Sequence, residues 1–305
     1  MIEVKNLTKD FGFNRGVFDI SFKVEKGEVF GFLGPNGAGK TTTLRLLMGF
    51  SHPDQGLVTI NNKNCWNDYA NILKDVGYVP GEVALPDGLS GSEFIEMMKK
   101  MKHADESRIR YLLDLFAFEP NQSMRKMSIG DKRKLAIIAA FMSDPNILIL
   151  DEPTSGLDPI MQNKFIDLIK AEKKRGKTIL LSTHIFQEVD ASCDRLSIIK
   201  EGKIVATIDA DEIRNNENKI YKIEFSNDED FDEFSNSENN IVYSNKEKRK
   251  MRIAINDKAI NHLIRNLSKY KIKYFSESKF TLEDYFLTYY KDKKRVNFHH
   301  EYHRN

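Results

Sequence analysis

Along the first two thirds of the chain the rhythm of apolar and polar side chains changes repeatedly, and each rhythm predicts a different element. Residues 2–4 and 20–24 alternate apolar with polar, the period of a strand buried on one face. Residues 29–33 are a short apolar run that feeds into a glycine-rich loop, and 41–48 then reads as a helix. Further strands are predicted at 57–61 and 76–79. From Ser90 the spacing turns helical. Ser90 and Glu93 form a capping box ahead of an amphipathic run, a second helix covers 109–118, and a third follows Ser128. The apolar run 147–150 predicts a buried strand. A charged helix at 160–175, closed by Gly176, precedes a strand at 178–182.

Strands alternating with helices predict an α/β core with a largely parallel sheet, fronted by antiparallel N-terminal strands. The mostly helical stretch 90–143 is expected as a subdomain inserted into that core. Near residue 213 the composition shifts toward Asn, Lys and Asp. Strands are predicted there at 219–225, 250–255 and 271–276, and helices at 257–268 and 281–291. The expected organisation is a large domain over 1–212, a small α+β domain over 213–291 and a flexible tail over 292–305. The acidic cluster 228–233 and the basic cluster 246–252 read as opposite solvated faces of a small sheet.

Composition narrows the function classes. The 47 basic residues nearly cancel the 45 acidic ones, so overall charge gives no support to a nucleic-acid partner. Cys65 and Cys193 have no metal-ligand spacing and read as reduced thiols. No apolar run approaches the roughly 20 residues of a membrane helix, and the N-terminus lacks a signal-peptide pattern. A soluble protein of the cell interior is expected.

The chemistry is concentrated in two places. Gly34, Pro35, Asn36, Gly37, Ala38, Gly39, Lys40 and Thr41 match the phosphate-loop pattern GxxxxGK[ST] between a strand and a helix. Glycines let backbone N–H groups wrap closely round a polyphosphate, and the helix that follows points its positive end at the same anion. Lys40 suits the β- and γ-phosphates, and the Thr41 hydroxyl suits Mg²⁺. The strand 147–150 ends in Asp151 and Glu152. Asp151 suits Mg²⁺, directly or through water. Glu152 suits orienting or deprotonating an attacking water.

These residues resemble the nucleotide-binding subunit of ATP-binding cassette transporters over roughly the first 210 positions. Gly34 to Thr42 has that family's form of the loop. Met127-Ser128-Ile129-Gly130-Asp131 stands where its signature, usually LSGGQ, is found. Ser155-Gly156-Leu157-Asp158 matches the loop after the Asp-Glu strand, Ser182-Thr183-His184 the switch histidine, and Phe11 the aromatic that stacks on adenine. The resemblance implies a P-loop NTPase (RecA-like) core with ATP and Mg²⁺ as ligands. It also implies a head-to-tail dimer, taken as a homodimer, with ATP between the P-loop of one copy and Ser128 and Gly130 of the other. Asp158 would help set that geometry, and His184 would contact the γ-phosphate region.

Two departures stand out. The family's usual glutamine after 76–79 is replaced by Gly81-Glu82, leaving Glu82 or water to reach the metal, and Ile129 replaces a signature glycine. The branch with such variants pairs with separate membrane permeases that export drugs, peptides or other amphipathic substrates. Attachment to the inner face of the cell membrane through the permease follows from this. The alternative, a soluble cassette ATPase acting on ribosome or nucleic acid, would carry a second cassette or long heptad insertions; neither is present. A regulatory module using ATP as a structural ligand would lack Glu152.

Overall fold

The computed structural model describes residues 1–86, 88–214, 218–237, 240–256 and 259–278, with Leu282 and Phe286. The chain folds as two compact units, Met1–Ala210 and Asp211–Asn305.

In the first unit, β1 (Ile2–Asp10), β2 (Gly16–Val24), β4 (Gln55–Ile60) and the short β5 (Lys63–Asn64) make an antiparallel sheet in the order β2-β1-β4-β5. β1 and β2 run beyond the stretches that alternate cleanly in sequence. Their register shifts between Val4 and Leu7, and Asn6 and Asp19 adopt positive φ, which breaks the two-residue period.

The second sheet holds β3 (Val29–Leu33), β6 (Val76–Val79), β7 (Ile147–Asp151), β8 (Thr178–Thr183), β9 (Arg195–Lys200) and β10 (Lys203–Asp209). Its order is β10-β9-β3-β8-β7-β6, parallel throughout except for the β9–β10 hairpin. Every residue of β3, β7 and β8 is buried, as expected of parallel strands covered on both faces. Phe22 of the antiparallel sheet stacks on Phe30 and Phe32 of β3, joining the two sheets in one core. The hairpin β9–β10 and two helices, α2 (Tyr69–Asp75) and α7 (Phe186–Ser192), were not predicted.

α1 (Lys40–Leu47) follows β3. The inserted helical stretch comprises α3 (Gly91–Lys102), α4 (Glu106–Leu115), a single 3₁₀ turn and α5 (Ile129–Phe141). The Ser90–Glu93 capping box is formed at the start of α3. α6 (Pro159–Lys174) starts on Asp158 and ends before Gly176. Glu172 on α6, nearly fully buried, pairs with Arg108 on α4, tying the helical stretch to the core.

A short α8 (Ala210–Arg214) leads into the second unit. There β11 (Asn218–Phe225), β12 (Ile241–Asn245), β13 (Lys250–Asn256) and β14 (Ile272–Ser278) form an antiparallel sheet in the order β12-β13-β11-β14. Two helices, α9 (Asp228–Ser237) and α10 (Ile260–Leu267), accompany it. The acidic cluster is not a sheet face. It lies on α9, whose Phe231 and Phe234 pack against Phe225, and Asp228, Glu229 and Asp230 sit in the first turn where the helix dipole favours them. The helix predicted at 281–291 and the tail 292–305 lie outside the described residues, apart from Leu282 and Phe286.

Candidate active site

The carboxyl ends of β3, β7 and β8 deliver three loops to one edge of the parallel sheet, where ligands sit in open α/β sheets. In the first loop, Gly39 is the N-cap of α1 with φ of 108°. A side chain there would be strained, and its Cβ would fall 2.7 Å from Val17 Cγ1. Gly34 and Ala38 are buried, whereas Pro35, Asn36, Gly37 and Thr41 are exposed and Thr42 is half-buried. Lys40 is buried and donates to the carbonyls of Gly34 at 2.6 Å and Pro35 at 3.1 Å.

β7 ends in Asp151, fully buried. Its Oδ1 accepts a 2.5 Å hydrogen bond from Ser182 Oγ on β8, and its Oδ2 has no partner among the described residues. A Cβ added to Gly81 would lie 2.8 Å from that Oδ2 and 3.7 Å from Thr41 Oγ1. An orphaned carboxylate oxygen and a hydroxyl thus flank one small space beside Gly81. Oxygen donors of this kind suit Mg²⁺, which takes few protein ligands and completes its shell with water and phosphate. Among the described residues no cluster of three His, Cys, Asp or Glu side chains is present. Glu82 is exposed, and it is Gly81 that borders Asp151 and Thr41.

Glu152 follows with φ of 46°, a left-handed conformation uncommon outside glycine. Its backbone N–H donates to Ser182 O at 2.9 Å. Oε1 forms a 3.0 Å ion pair with Lys40 Nζ, out of line for a hydrogen bond. Oε2 is 2.6 Å from His184 Nδ1, and because a carboxylate oxygen can only accept, the ring nitrogen carries the proton. Lys40, Glu152 and His184 therefore form one connected chain.

The other candidates lie apart from that chain. Ser128 caps α5 and exchanges side-chain bonds with Asp131: its Oγ accepts from Asp131 N at 3.1 Å and donates to Oδ2 at 2.7 Å. Gly130 approaches the next loop closely, since a Cβ there would meet Gly156 O at 3.1 Å. Ile129 is 76% exposed. Asp158 caps α6 by accepting from Ile160 N and Met161 N at 2.9 and 3.0 Å. Phe11 is exposed, with Lys9 Nζ 5.8 Å from its ring centroid.

Two buried residues escaped the sequence reading. Arg133 on α5 donates from Nε to Ser155 O at 3.0 Å, and from its two terminal nitrogens to Pro80 O and Gly81 O at 2.6 Å each. Burial disfavours its charge, and the nearby Asp151 and Glu152 carboxylates oppose that effect. Within the charged run Asp131-Lys132-Arg133-Lys134 it looks like part of a solvated face, and nothing local in the sequence marks it. Glu188 on α7 accepts from Thr154 Oγ1, and burial pushes its carboxyl above the usual range.

Comparison with known proteins agrees with this architecture. The family model described as "ABC transporter" matches residues 17–155, and that described as "ATP-binding protein DrrA1-3-like, C-terminal domain" matches 209–290. The ABC transporter ATP-binding protein YhcH of Bacillus subtilis is 33% identical over 225 residues, covering 72% of this chain and 74% of that protein. The Nod factor export ATP-binding protein I of Burkholderia lata is 36% identical over 211 residues, covering 67% and 69%. A solved ATP-binding subunit of an ABC transporter superposes with a TM-score of 0.64 at 29% identity, over 70% of this chain and 92% of that one.

Proposed function

The chain belongs to the family of ABC transporter ATP-binding proteins, and from that premise we propose that it powers export through a separate membrane permease. It is an ATPase of the cassette type. The export reading draws on the Nod factor export relative, and among the described residues no helix is long and apolar enough to cross a membrane. A drug, peptide or other amphipathic molecule is the substrate class we favour. Nothing in the comparisons favours work on ribosome or nucleic acid. With a permease as partner, the chain acts on the inner face of the cell membrane.

The observation that carries the catalytic reading is Glu152, held between Lys40 and His184 one residue beyond the orphaned Asp151 oxygen. Lys40 exchanges the carbonyls of Gly34 and Pro35 for phosphate oxygens as the loop closes round ATP. Thr41 and Asp151 would hold Mg²⁺, which neutralises charge on the phosphates when bound. Glu152 takes a proton from the attacking water as its oxygen bonds to the γ-phosphorus. The bond to the bridging β–γ oxygen breaks, releasing ADP and phosphate. His184, bonded to Glu152 Oε2, orients that carboxylate, and its second role in this reading is contact with the γ-phosphate. Phe11 stacks on adenine. Ser128 and Gly130 of a second copy close the site head to tail, with Asp158 beside them.

Glu152→Gln tests this. ATP binding is expected to persist while turnover falls about 10³-fold, the scale of a lost general base, and ATP should then hold a dimer visible by size-exclusion chromatography. Turnover at the unaltered rate would sink the assignment of Glu152.

A further inference from the structure

Arg133 is only 4% exposed, one turn beyond the Ser128 cap, and it takes no part in the chemistry described so far. Its guanidinium bonds three main-chain carbonyls in two separate loops: Pro80 and Gly81 after β6, and Ser155 between β7 and α6. The first loop borders Asp151 and Thr41 at Gly81, a residue with no side chain to extend toward them. The second leads from Glu152 to Asp158. α5 itself carries Ser128, Ile129 and Gly130 at its start. A planar fork bonded in three directions fixes relative orientation, which a flexible ammonium does not.

We propose that Arg133 is a positioning residue for ATP hydrolysis, coupling the start of α5 to the two loops that flank Asp151 and Glu152. When a second copy's nucleotide engages Ser128 and Gly130, movement of α5 passes through the guanidinium to Gly81 and Ser155. Closure of the dimer and alignment of the hydrolytic groups then become one event. Gly81 can contribute through its backbone because Arg133 grips that backbone. This inference rests on the head-to-tail dimer proposed above.

The test uses the full chain with Arg133→Lys, which keeps the charge without the fork, and Arg133→Met, which keeps part of the stem. ADP affinity is expected to stay within about twofold, because the phosphate loop is not touched. With the hydrolytic groups misaligned, kcat should fall about 100-fold in R133M and about tenfold in R133K. The Hill coefficient for ATP should drop toward one. A folded variant that keeps kcat and cooperativity overturns the proposal, as does a parallel loss of ADP affinity and Tm with kcat. An unaltered chain that hydrolyses ATP without cooperativity instead overturns the dimer reading. If neither variant folds, hydrogen exchange on the unaltered chain decides. Amides of 81–82 and 155–157 should gain protection at the same concentration of a non-hydrolysable ATP analogue; separate midpoints overturn the coupling.

Discussion

Lys40 and Arg133 are both buried cations bonded to main-chain carbonyls beside the parallel sheet, yet they serve their loops differently. Lys40 bonds carbonyls five and six residues back in its own loop. Arg133 reaches carbonyls 52, 53 and 22 residues away, from a helix that belongs to neither loop. An ammonium is a compact charge on a flexible stem, able to trade carbonyl oxygens for phosphate oxygens. A guanidinium fork gains its strength from keeping its geometry. On the proposed reading the phosphate loop releases its cation to a ligand, whereas the loop after β6 is held.

For ligand affinity, the largest effect expected from breaking this comparison is at Lys40. Lys40→Met removes a charge-assisted bond to phosphate, so ATP affinity should fall roughly 30-fold, the scale of ~2 kcal/mol. Titration with a fluorescent nucleotide measures it. Unchanged affinity would mean that the lysine, like the arginine, serves only the backbone.

An intermediate effect sharpens the contrast within the second loop. Gly81→Ala pushes a methyl group to 2.8 Å from Asp151 Oδ2, into the space flanked by Thr41. The Mg²⁺ concentration for half-maximal ATP hydrolysis should rise about tenfold, whereas Glu82→Ala should shift it less than about twofold. The reverse order would assign the metal-facing role to Glu82.

The smallest effect concerns Glu188, a buried carboxyl bonded to the Thr154 hydroxyl, with Glu152 and His184 nearby. Burial holds its folded-state pKa above the ordinary 4.5. The folded protein therefore keeps a proton that the unfolded chain gives up, and stability falls as pH rises from about 4.5 through the folded value. Glu188→Gln removes this loss, so the variant's Tm should gain on the unaltered chain by a few degrees as pH rises. A Tm difference constant with pH contradicts the assignment.

Much of this was legible in sequence because the residues concerned act locally. The phosphate loop, its strand and its helix are contiguous, and Asp151 and Glu152 end a strand whose burial shows in composition alone. The elements missed have weak local signals. β9 carries the charged Arg195, and β10 alternates only partly before an acidic end, so their pairing is settled by the sheet edge they complete. α2 and α7 have seven residues each, too short for helical periodicity to stand out. Arg133 was illegible for another reason: its three acceptors are backbone carbonyls, and any residue can supply a carbonyl.

Ile129 carries a consequence for how relatives of this chain can vary. A Cβ at Gly156, which has φ of 84°, would fall 2.8 Å from Ile129 Cγ2. A side chain at 156 would therefore meet both the strain of that φ and the branched Ile129. Position 156, held to glycine by its own φ, is thus constrained a second time by a side chain 27 positions earlier in the chain.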